Sequence, residues 1–497
     1  MNDHKPRVIV TRLSLEMDDE IKRRVLKEID AEFCVSVCQF EHNIPFLGPN
    51  QQVRVSSQNV KWGNYDADWN EVTPIDEELI YKMRECEAVY MDMLTRLEER
   101  HPFIYQDRKR AYLRSLQYWN HILDKHKINL YLSSGIPHES HEYVIYSLCK
   151  QKGIPTIFGH SGPVQDTKFF VTDWEESAVG MEEAIESLKT KYSKPEEIPL
   201  KDKFEKFYQS HLANRDNAPV PWDMVNKFNN PFAKWFGVVK NVFKNGKKDF
   251  LEHVFKFIVR WINPRYWVFM FDRLRRKMRV NSMMRFYDKH APKPDLNKKF
   301  VYFPLHMQPE CSTNPMAGAY SDQLLIAKML NGLLPEDCLI YVKEHPNQPR
   351  QYPDGRGRDV HFYKDLLSLD KVRFAPTNFN SLTLLKSSIA VATGTGTVSM
   401  EALFHERPVL LFGHTFFQYA PSIFPIHSNE DCRNAIKEIQ NGAKPSLLDV
   451  RIFLKAMEQV AQEGTFARDY QERPEWTGEE NIRSMVEGFV GKIKEVR

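Results

Sequence analysis

The chain has 497 residues and is 42% hydrophobic, 27% charged and 12% aromatic, a globular composition that excludes a disordered, fibrous or collagen-like protein. Its 69 Lys and Arg against 66 Asp and Glu leave +3, so global charge points to no particular partner. Seven Cys with no CxxC pair exclude a disulfide scaffold and a zinc ribbon, and fit a reducing compartment.

At roughly 100–200 residues per domain, two sizeable domains plus connections are expected. The opening MNDHKPRVIVTRLSLEMDDE has no continuous apolar core, so no secretory signal is expected. No run of about 18 apolar residues occurs. Residues 255–271 come nearest and are broken by Lys256, Arg260, Pro264 and Arg265. The expectation is a cytoplasmic protein, peripheral on the cytoplasmic membrane face.

In chain order, residues 8–10 read as a short strand, and 76–100 and 107–127 as long helices with apolar spacing near 3.6. INLYLSS (128–134) reads as a strand, HESHEYVIYSLCKQKG (138–153) as a helix and IPTIFGHSG (154–162) as a strand. That succession is a βαβ unit of a parallel sheet. A helix is expected near 175–192. Between Lys234 and Lys289 fifteen Lys and Arg face four acids, a net +11, so the rest of the chain carries −8. Phe232, Trp235, Phe236, Val239, Val242 and Phe243 fall on one helical face there. From Lys298 the alternation resumes. KFVYFPL, CLIYVKEHP, VRFAP, IAVATGTGT and RPVLLFG read as strands separated by helices, a second doubly wound unit.

The fold class predicted is α/β, two Rossmann-like parallel-sheet domains in the GT-B arrangement, with a helical basic insertion and a C-terminal crossing helix. The boundaries expected are 1–205 for an N-terminal Rossmann-like domain and 206–297 for a basic, aromatic-rich helical connection. A C-terminal Rossmann-like domain takes 298–460, and helices returning to the first domain take 461–497.

Four segments hold candidate chemistry. Thr393-Gly-Thr-Gly-Thr-Val-Ser-Met-Glu401 follows an apolar strand and opens a helix. Gly394 and Gly396 permit close backbone approach, Thr395 and Thr397 add hydroxyls, and the helix N-terminus favours an anion, together a phosphate cradle. Glu401, one turn in, is placed to take ribose hydroxyls. No Lys follows the second Gly, so this is not a Walker A loop. In LIYVKEHP strand alternation puts Tyr341, Lys343 and His345 on one face, with Pro346 ending the strand at the sheet's carboxyl edge. A Lys and a His there would neutralise a phosphate, and the His could protonate a leaving group. FPLHMQPECST places His306, Gln308, Glu310, Ser312 and Thr313 in one loop on that edge. In the first half, SSGIPHESHE supplies His138, Glu139, His141 and Glu142, and His160 and Ser161 end the next strand. A carboxylate here would act as general base or nucleophile. HESHE has the wrong spacing for zinc, so no metal is expected.

FPLHMQPECST (303–313), YVKEHP (341–346) and ATGTGTVSMEALFHERPVLLFG (392–413), in this order, resemble the bacterial capsule polysaccharide biosynthesis glycosyltransferases. That group is similar to CMP-Kdo-dependent β-Kdo transferases and, more distantly, to GT-B sialyltransferases. The resemblance implies that His345 and Pro346 bind a CMP moiety and that Thr395 and Thr397 hold its phosphate. The acidic pair followed by Gly that supplies the sialyltransferase base is absent from the N-terminal half, and the TGTGT turn is also similar to those of UDP-sugar enzymes. The function implied is a metal-independent GT-B glycosyltransferase of capsule, O-antigen or lipopolysaccharide assembly. Its donor would be CMP-activated Kdo or a nonulosonic acid, used as substrate with no cofactor, and its acceptor a glycan or lipid-linked glycan. His306, Gln308, Lys343, His345, Pro346, Gly394, Thr395, Gly396, Thr397 and Glu401 would face the donor. His138, His141, Glu142, His160 and Ser161 would face the acceptor. Glu139 or Glu310 would be the acid/base carboxylate, with His345 assisting departure. Residues 232–289 would meet an anionic membrane surface, with no nucleic-acid partner. The alternatives are a UDP-sugar transferase, a nucleotide-sugar epimerase or hydrolase on the same scaffold, or a non-enzymatic polysaccharide-export protein.

Overall fold

The computed structural model describes residues 5–40, 43–98, 103–213, 264–470 and 477–497. Residues 232–263, most of the aromatic and basic stretch, lie outside the described residues.

Two sheets are built from short apolar runs. The first contains β1 (Arg7–Thr11), β2 (Phe33–Cys38), β3 (Gln52–Ser56), β4 (Leu130–Ser133), β5 (Thr156–Ser161) and β6 (Thr167–Val171). The second contains β7 (Lys299–Pro304), β8 (Cys338–Lys343), β9 (Val372–Ala375), β10 (Ala390–Thr393), β11 (Val409–Leu411) and β12 (Ile423–Pro425). A two-residue strand, β13 (Gln462–Glu463), joins the first sheet. All six residues of β2 and all four of β10 are buried, as expected for parallel strands covered on both faces.

The first sheet has the order β13-β6-β5-β4-β1-β2-β3 and the second β12-β11-β10-β7-β8-β9. The second sheet is parallel throughout. In the first, only β6 and β13 run antiparallel to their neighbours. Each sheet starts in its middle and grows first one way, then the other. The direction reverses between β1 and β4 in the first sheet and between β7 and β10 in the second. Loops leaving adjacent strands at such a point diverge to opposite faces and open a crevice at the carboxyl edge, where ligands of open α/β sheets bind.

The first domain is closed by the far end of the chain. Ile21, Val25 and Leu26 of the helix Glu16–Glu28 share a core with Met485, Phe489 and Val490 of the helix Gly478–Val496. Burying such side chains stabilises by about 1.5–3 kcal/mol each. Gly488 is required because a Cβ there would come within 2.1 Å of the Phe170 ring. The helix Leu447–Val460 also packs on the first domain, against Met181–Lys191, so the return begins one helix before residue 461.

Three other expectations shift. The 76–100 helix is two helices, Glu77–Lys82 and Arg84–Met93, followed by a 3-10 turn Leu94–Leu97. The break is at buried Met83, whose carbonyl also accepts the Tyr112 hydroxyl at 2.8 Å. The helix Pro264–Lys289 is an arm of the second domain more than a connector, because Val280, Met283 and Tyr287 enter that domain's core. The first 75 residues, where the sequence suggested one strand, supply the helix Glu16–Glu28 and the strands β2 and β3.

Candidate functional site

A cavity of about 660 Å³ opens at the carboxyl edge of the second sheet, at its point of reversal. His306, from the loop after β7, and Thr395, Gly396 and Thr397, after β10, line it together with Glu310, Ser312, His345 and Glu401. Pro163 of the first domain and Phe207 and His211 of the helix Asp202–Ala213 close the other side.

The glycine-rich turn is organised around a histidine. His306 Nε2 accepts the Thr395 amide at 3.2 Å and lies 3.0 Å from Thr393 Oγ1. The Thr393 hydroxyl in turn accepts the Gly396 amide at 3.1 Å. A Cβ on Gly394 would stand 3.2 Å from His306 Nε2, and one on Gly396 would stand 2.7 Å from Thr393 Oγ1. The glycines therefore admit the imidazole, and the amides of 395 and 396 are satisfied inside the protein. Thr395 Oγ1 donates to the Ser312 carbonyl at 2.7 Å. Thr395, Gly396, Thr397 and Val398 all line the cavity, the last opening the helix Val398–Phe404. Burial, with Arg358 and His345 adding to it, pushes His306 down to about 4, so its ring is neutral. Burial pushes the Glu401 carboxyl up to about 7. His345 Nδ1 accepts the Asn347 amide at 3.2 Å, so the ring carries its proton on Nε2.

Four residues expected to face the donor, Lys343, Gln308, Pro346 and Gly394, do not line the cavity. Lys343 does share a face with Tyr341, but the helix Ser381–Ser387 covers that face. The buried ammonium donates to Ser381 Oγ at 2.8 Å, and burial pushes it down to about 8. Gln308 is a brace for its loop, taking a bond from Arg358 and giving one to the Ser321 carbonyl. Pro346 follows His345 without lining the cavity.

A second cavity, of about 540 Å³, opens where the first sheet reverses. Arg12 and Asp18 after β1, Glu139, His141 and Glu142 after β4, His160 and Ser161 of β5, and Lys168 of β6 line it. Cys311 and Met316 of the second domain complete the wall, so the 306–316 loop divides the two cavities. Glu139 Oε1 is 3.0 Å from Lys61 Nζ. Glu142 Oε2 accepts the amides of His138 and Glu139. His138 is a support, in contact with Arg12 through both ring nitrogens at 2.7 and 3.1 Å. His160 Nδ1 meets the Ser177 carbonyl at 3.1 Å, and burial pushes the ring down to about 4.

Sequence reasoning missed Arg12, Asp18, Lys168, Arg96 and Arg358. Arg96 donates to the His138 carbonyl of one domain and to the carbonyls of Glu310 and Asn314 of the other, tying together the loops that flank both cavities. Its signal in sequence is nil, since it sits in a surface-type helix end far from every motif.

Two reversed parallel sheets facing one another across a cleft, with the last helices crossing back, define an α/β protein of the GT-B class. Residues 241–421 match the family of capsule polysaccharide biosynthesis proteins, and all three segments that carry the resemblance noted above fall inside that match. Among solved structures, the chain is similar to the β-Kdo 2,7-transferase of Thermosulfurimonas dismutans KpsC, at 13% identity over 77% of this chain and 96% of that one, TM-score 0.33. It is similar to the β-Kdo 2,4-transferase of the same protein, at 12% identity over 72% and 87%, TM-score 0.32. It is also similar to the UDP-GlcNAc 2-epimerase of Methanocaldococcus jannaschii, at 11% identity over 92% and 98%, TM-score 0.27. No curated protein matches the chain.

Proposed function

We propose that this protein is a glycosyltransferase of bacterial capsule or related surface polysaccharide assembly, taking a CMP-activated Kdo or nonulosonic acid as donor. The observation that carries the reading is the convergence of His345, His306, the 395–397 turn and Glu401 on one cavity at the reversal of the second sheet, facing the first domain across the cleft. The nucleotide sugar lies in that cavity, and the glycan acceptor lies in the second cavity. Thr397 at a helix N-terminus and His345 Nε2–H offset the charge on the departing phosphate, with Lys343 adding its field from behind the sheet edge. Glu401 accepts ribose hydroxyls. No resident metal enters this reading.

The acceptor reading includes a membrane. In the helix Pro264–Lys289, Trp267, Phe271, Leu274 and Met278 are exposed, interleaved with Arg273, Arg275 and Lys277. Exposed apolar and basic side chains on one helix suit an anionic bilayer interface. Among the described residues no helix is long and apolar enough to cross a membrane. The protein would then work peripherally on the cytoplasmic face, where a lipid-linked acceptor is within reach.

A thermal-shift panel of CMP, CDP, UDP, GDP and TDP tests the site. A nucleotide at 100 times its Kd stabilises by about 2.7 kcal/mol. CMP is expected to stand out. A response to UDP alone turns the assignment to a UDP-sugar enzyme, and no response to any of the five removes the nucleotide site.

A further inference from the structure

A third cavity, of about 740 Å³, opens where the helix Pro264–Lys289 packs beside the helix Val360–Leu367. Five arginines line it, Arg275, Arg276 and Arg279 from the first helix and Arg356 and Arg358 from the turn before the second. Thr95 and Glu98 of the first domain complete the wall. Most of the charge here is already matched. Asp272 pairs with Arg276 at 2.7 Å and Asp354 with Arg356 at 2.9 Å. Arg358 pairs with Glu344 at 3.0 Å. Glu98 pairs with Arg108 and accepts the Phe103 amide at 2.6 Å. Asp359 accepts the Phe362 amide at 2.9 Å.

Arg275 and Arg279 are left over. Arg279 donates to the Asp354 carbonyl at 2.8 Å. Gly355, at φ +79°, makes room for it, since a Cβ there would stand 2.9 Å from Arg279 Nη2. Arg275 has no partner among the described residues, and neither arginine has a carboxylate within ion-pair distance there. Side chains four residues apart on a helix are neighbours, so the two guanidinium groups share one wall. Their planar forks suit the oxygens of a phosphate.

The surroundings select a lipid. Asp272, Arg275, Arg276 and Arg279 form one stripe of the helix, and Trp267, Phe271, Leu274 and Met278 form an exposed apolar stripe on the adjoining side. Beside Glu98 the chain exposes a second apolar group, Phe103, Ile104 and Tyr105, at 36%, 61% and 64%. A soluble anion makes no use of these side chains. A bilayer lipid uses both parts, its phosphate in the cavity and its acyl chains along the apolar residues.

We propose that this cavity binds the phosphate of an anionic membrane lipid, with Arg275 and Arg279 as its main ligands. The lipid is a docking ligand, and no bond is made or broken. This inference rests on the peripheral-membrane reading above, which needs only scattered charge, and adds to it a site for one lipid.

The test is calorimetric titration of the full chain with three soluble probes: dihexanoyl phosphatidic acid, dihexanoyl phosphatidylcholine and glycerol phosphate. Wild type is expected to bind one phosphatidic acid per chain, at least about tenfold more tightly than the other two. Phosphatidylcholine carries a cation beside its phosphate, and glycerol phosphate has no acyl chains. Arg275→Gln with Arg279→Gln is expected to weaken that binding by about 100-fold or more, since each hydrogen bond to a charged group contributes about tenfold or more. Arg273→Gln with Lys277→Gln removes the same charge from the same helix outside the cavity, and is expected to weaken it by less than about fivefold. All four side chains are exposed, so both variants are expected to keep the wild-type thermal midpoint. Equal losses in the two variants overturn the site, and glycerol phosphate binding as tightly as the lipid overturns its assignment to a lipid. Sedimentation with vesicles of phosphatidic acid and phosphatidylcholine separates the two claims. Wild type that sediments with them but binds no short-chain lipid loses this site alone. Wild type that binds neither loses the membrane reading and this site together.

Discussion

Arg358 Nε and Glu344 Oε2 are 3.0 Å apart, and their side chains are 1% and 0% exposed. The pair holds His306 and His345 of the first cavity through their main chains. Glu344 Oε1 accepts the His345 amide at 2.7 Å, and Arg358 Nη2 donates to the His306 carbonyl at 2.8 Å. Tyr363 adds its hydroxyl to Glu344 at 2.6 Å. Removing one partner leaves a buried charge uncompensated, which costs about 3–5 kcal/mol. Arg358→Met is therefore expected to lower unfolding stability by about that amount in urea titrations. Calorimetric titration should show weaker CMP binding in the fraction that stays folded.

His345→Ala removes an imidazole that lines the cavity while leaving the Glu344–Arg358 pair in place. A hydrogen bond to a charged group is worth about 1.5–3 kcal/mol, so CMP affinity is expected to drop roughly tenfold to a hundredfold. Transfer is expected to be abolished with the thermal midpoint near wild type. Full activity in this variant would remove the donor site from this cavity.

His306 links the site to acid stability. Its pKa is about 4 in the folded protein and about 6.5 unfolded, so the neutral ring contributes stability that is whole above about pH 6.5 and is lost as pH falls toward 4. The stability difference between wild type and His306→Gln is expected to shrink by about 3 kcal/mol over that window. Glu401 and Asp18, whose carboxyls are raised, gain stability on acidification in both proteins and cancel in the difference. Urea midpoints at matched pH values give the measurement. A difference that does not change with pH would mean that His306 is not buried neutral.

Charge reversal on the helix Pro264–Lys289 separates bilayer docking from a structural role. Arg273→Glu, Arg275→Glu and Lys277→Glu leave the Arg276–Asp272 pair untouched. Each base near an anionic surface is worth about 1 kcal/mol. The triple variant is expected to lose sedimentation with anionic vesicles, while wild type binds them at low salt and releases them at high salt. Wild type that ignores vesicles of every composition would make the exposed aromatics an interface for something else.

The second domain was legible because its strands are short apolar runs separated by helical spacing, as in KFVYFPL and VLLFG, and because site residues such as His345 and Thr395 follow those runs directly. Alternation put Lys343 on the face of Tyr341, and it is there. Which helix covers that face depends on residue 381, and no local pattern carries that. β3, QVRVS, is an edge strand with one buried residue and has no apolar run to read. Asp18 looks like any acid in a first helical turn and Lys168 like a lysine near a sheet edge. Only the approach of Ala467 to Asp18 and of Asp469 to Lys168, far along the chain, gives them their surroundings. Of the glycine-rich turn, the sequence showed the shape but not the occupant, because the histidine that fills it comes from 87 residues earlier.

The helix Gly478–Val496 closes the core that the helix Glu16–Glu28 begins, so the order of synthesis matters. Val25 and Leu26 leave the ribosome roughly 450 residues before their partners, and at roughly 5–20 residues per second the gap is about 20–90 s. Through that interval the first domain presents an uncovered apolar face, whereas the second can form its own core once β12 and the helix Asn429–Gln440 are made. The second domain is thus the one able to mature during translation. The first waits for the helix Gly478–Val496, and a chain stalled before that helix is made would hold chaperones at its N-terminal half.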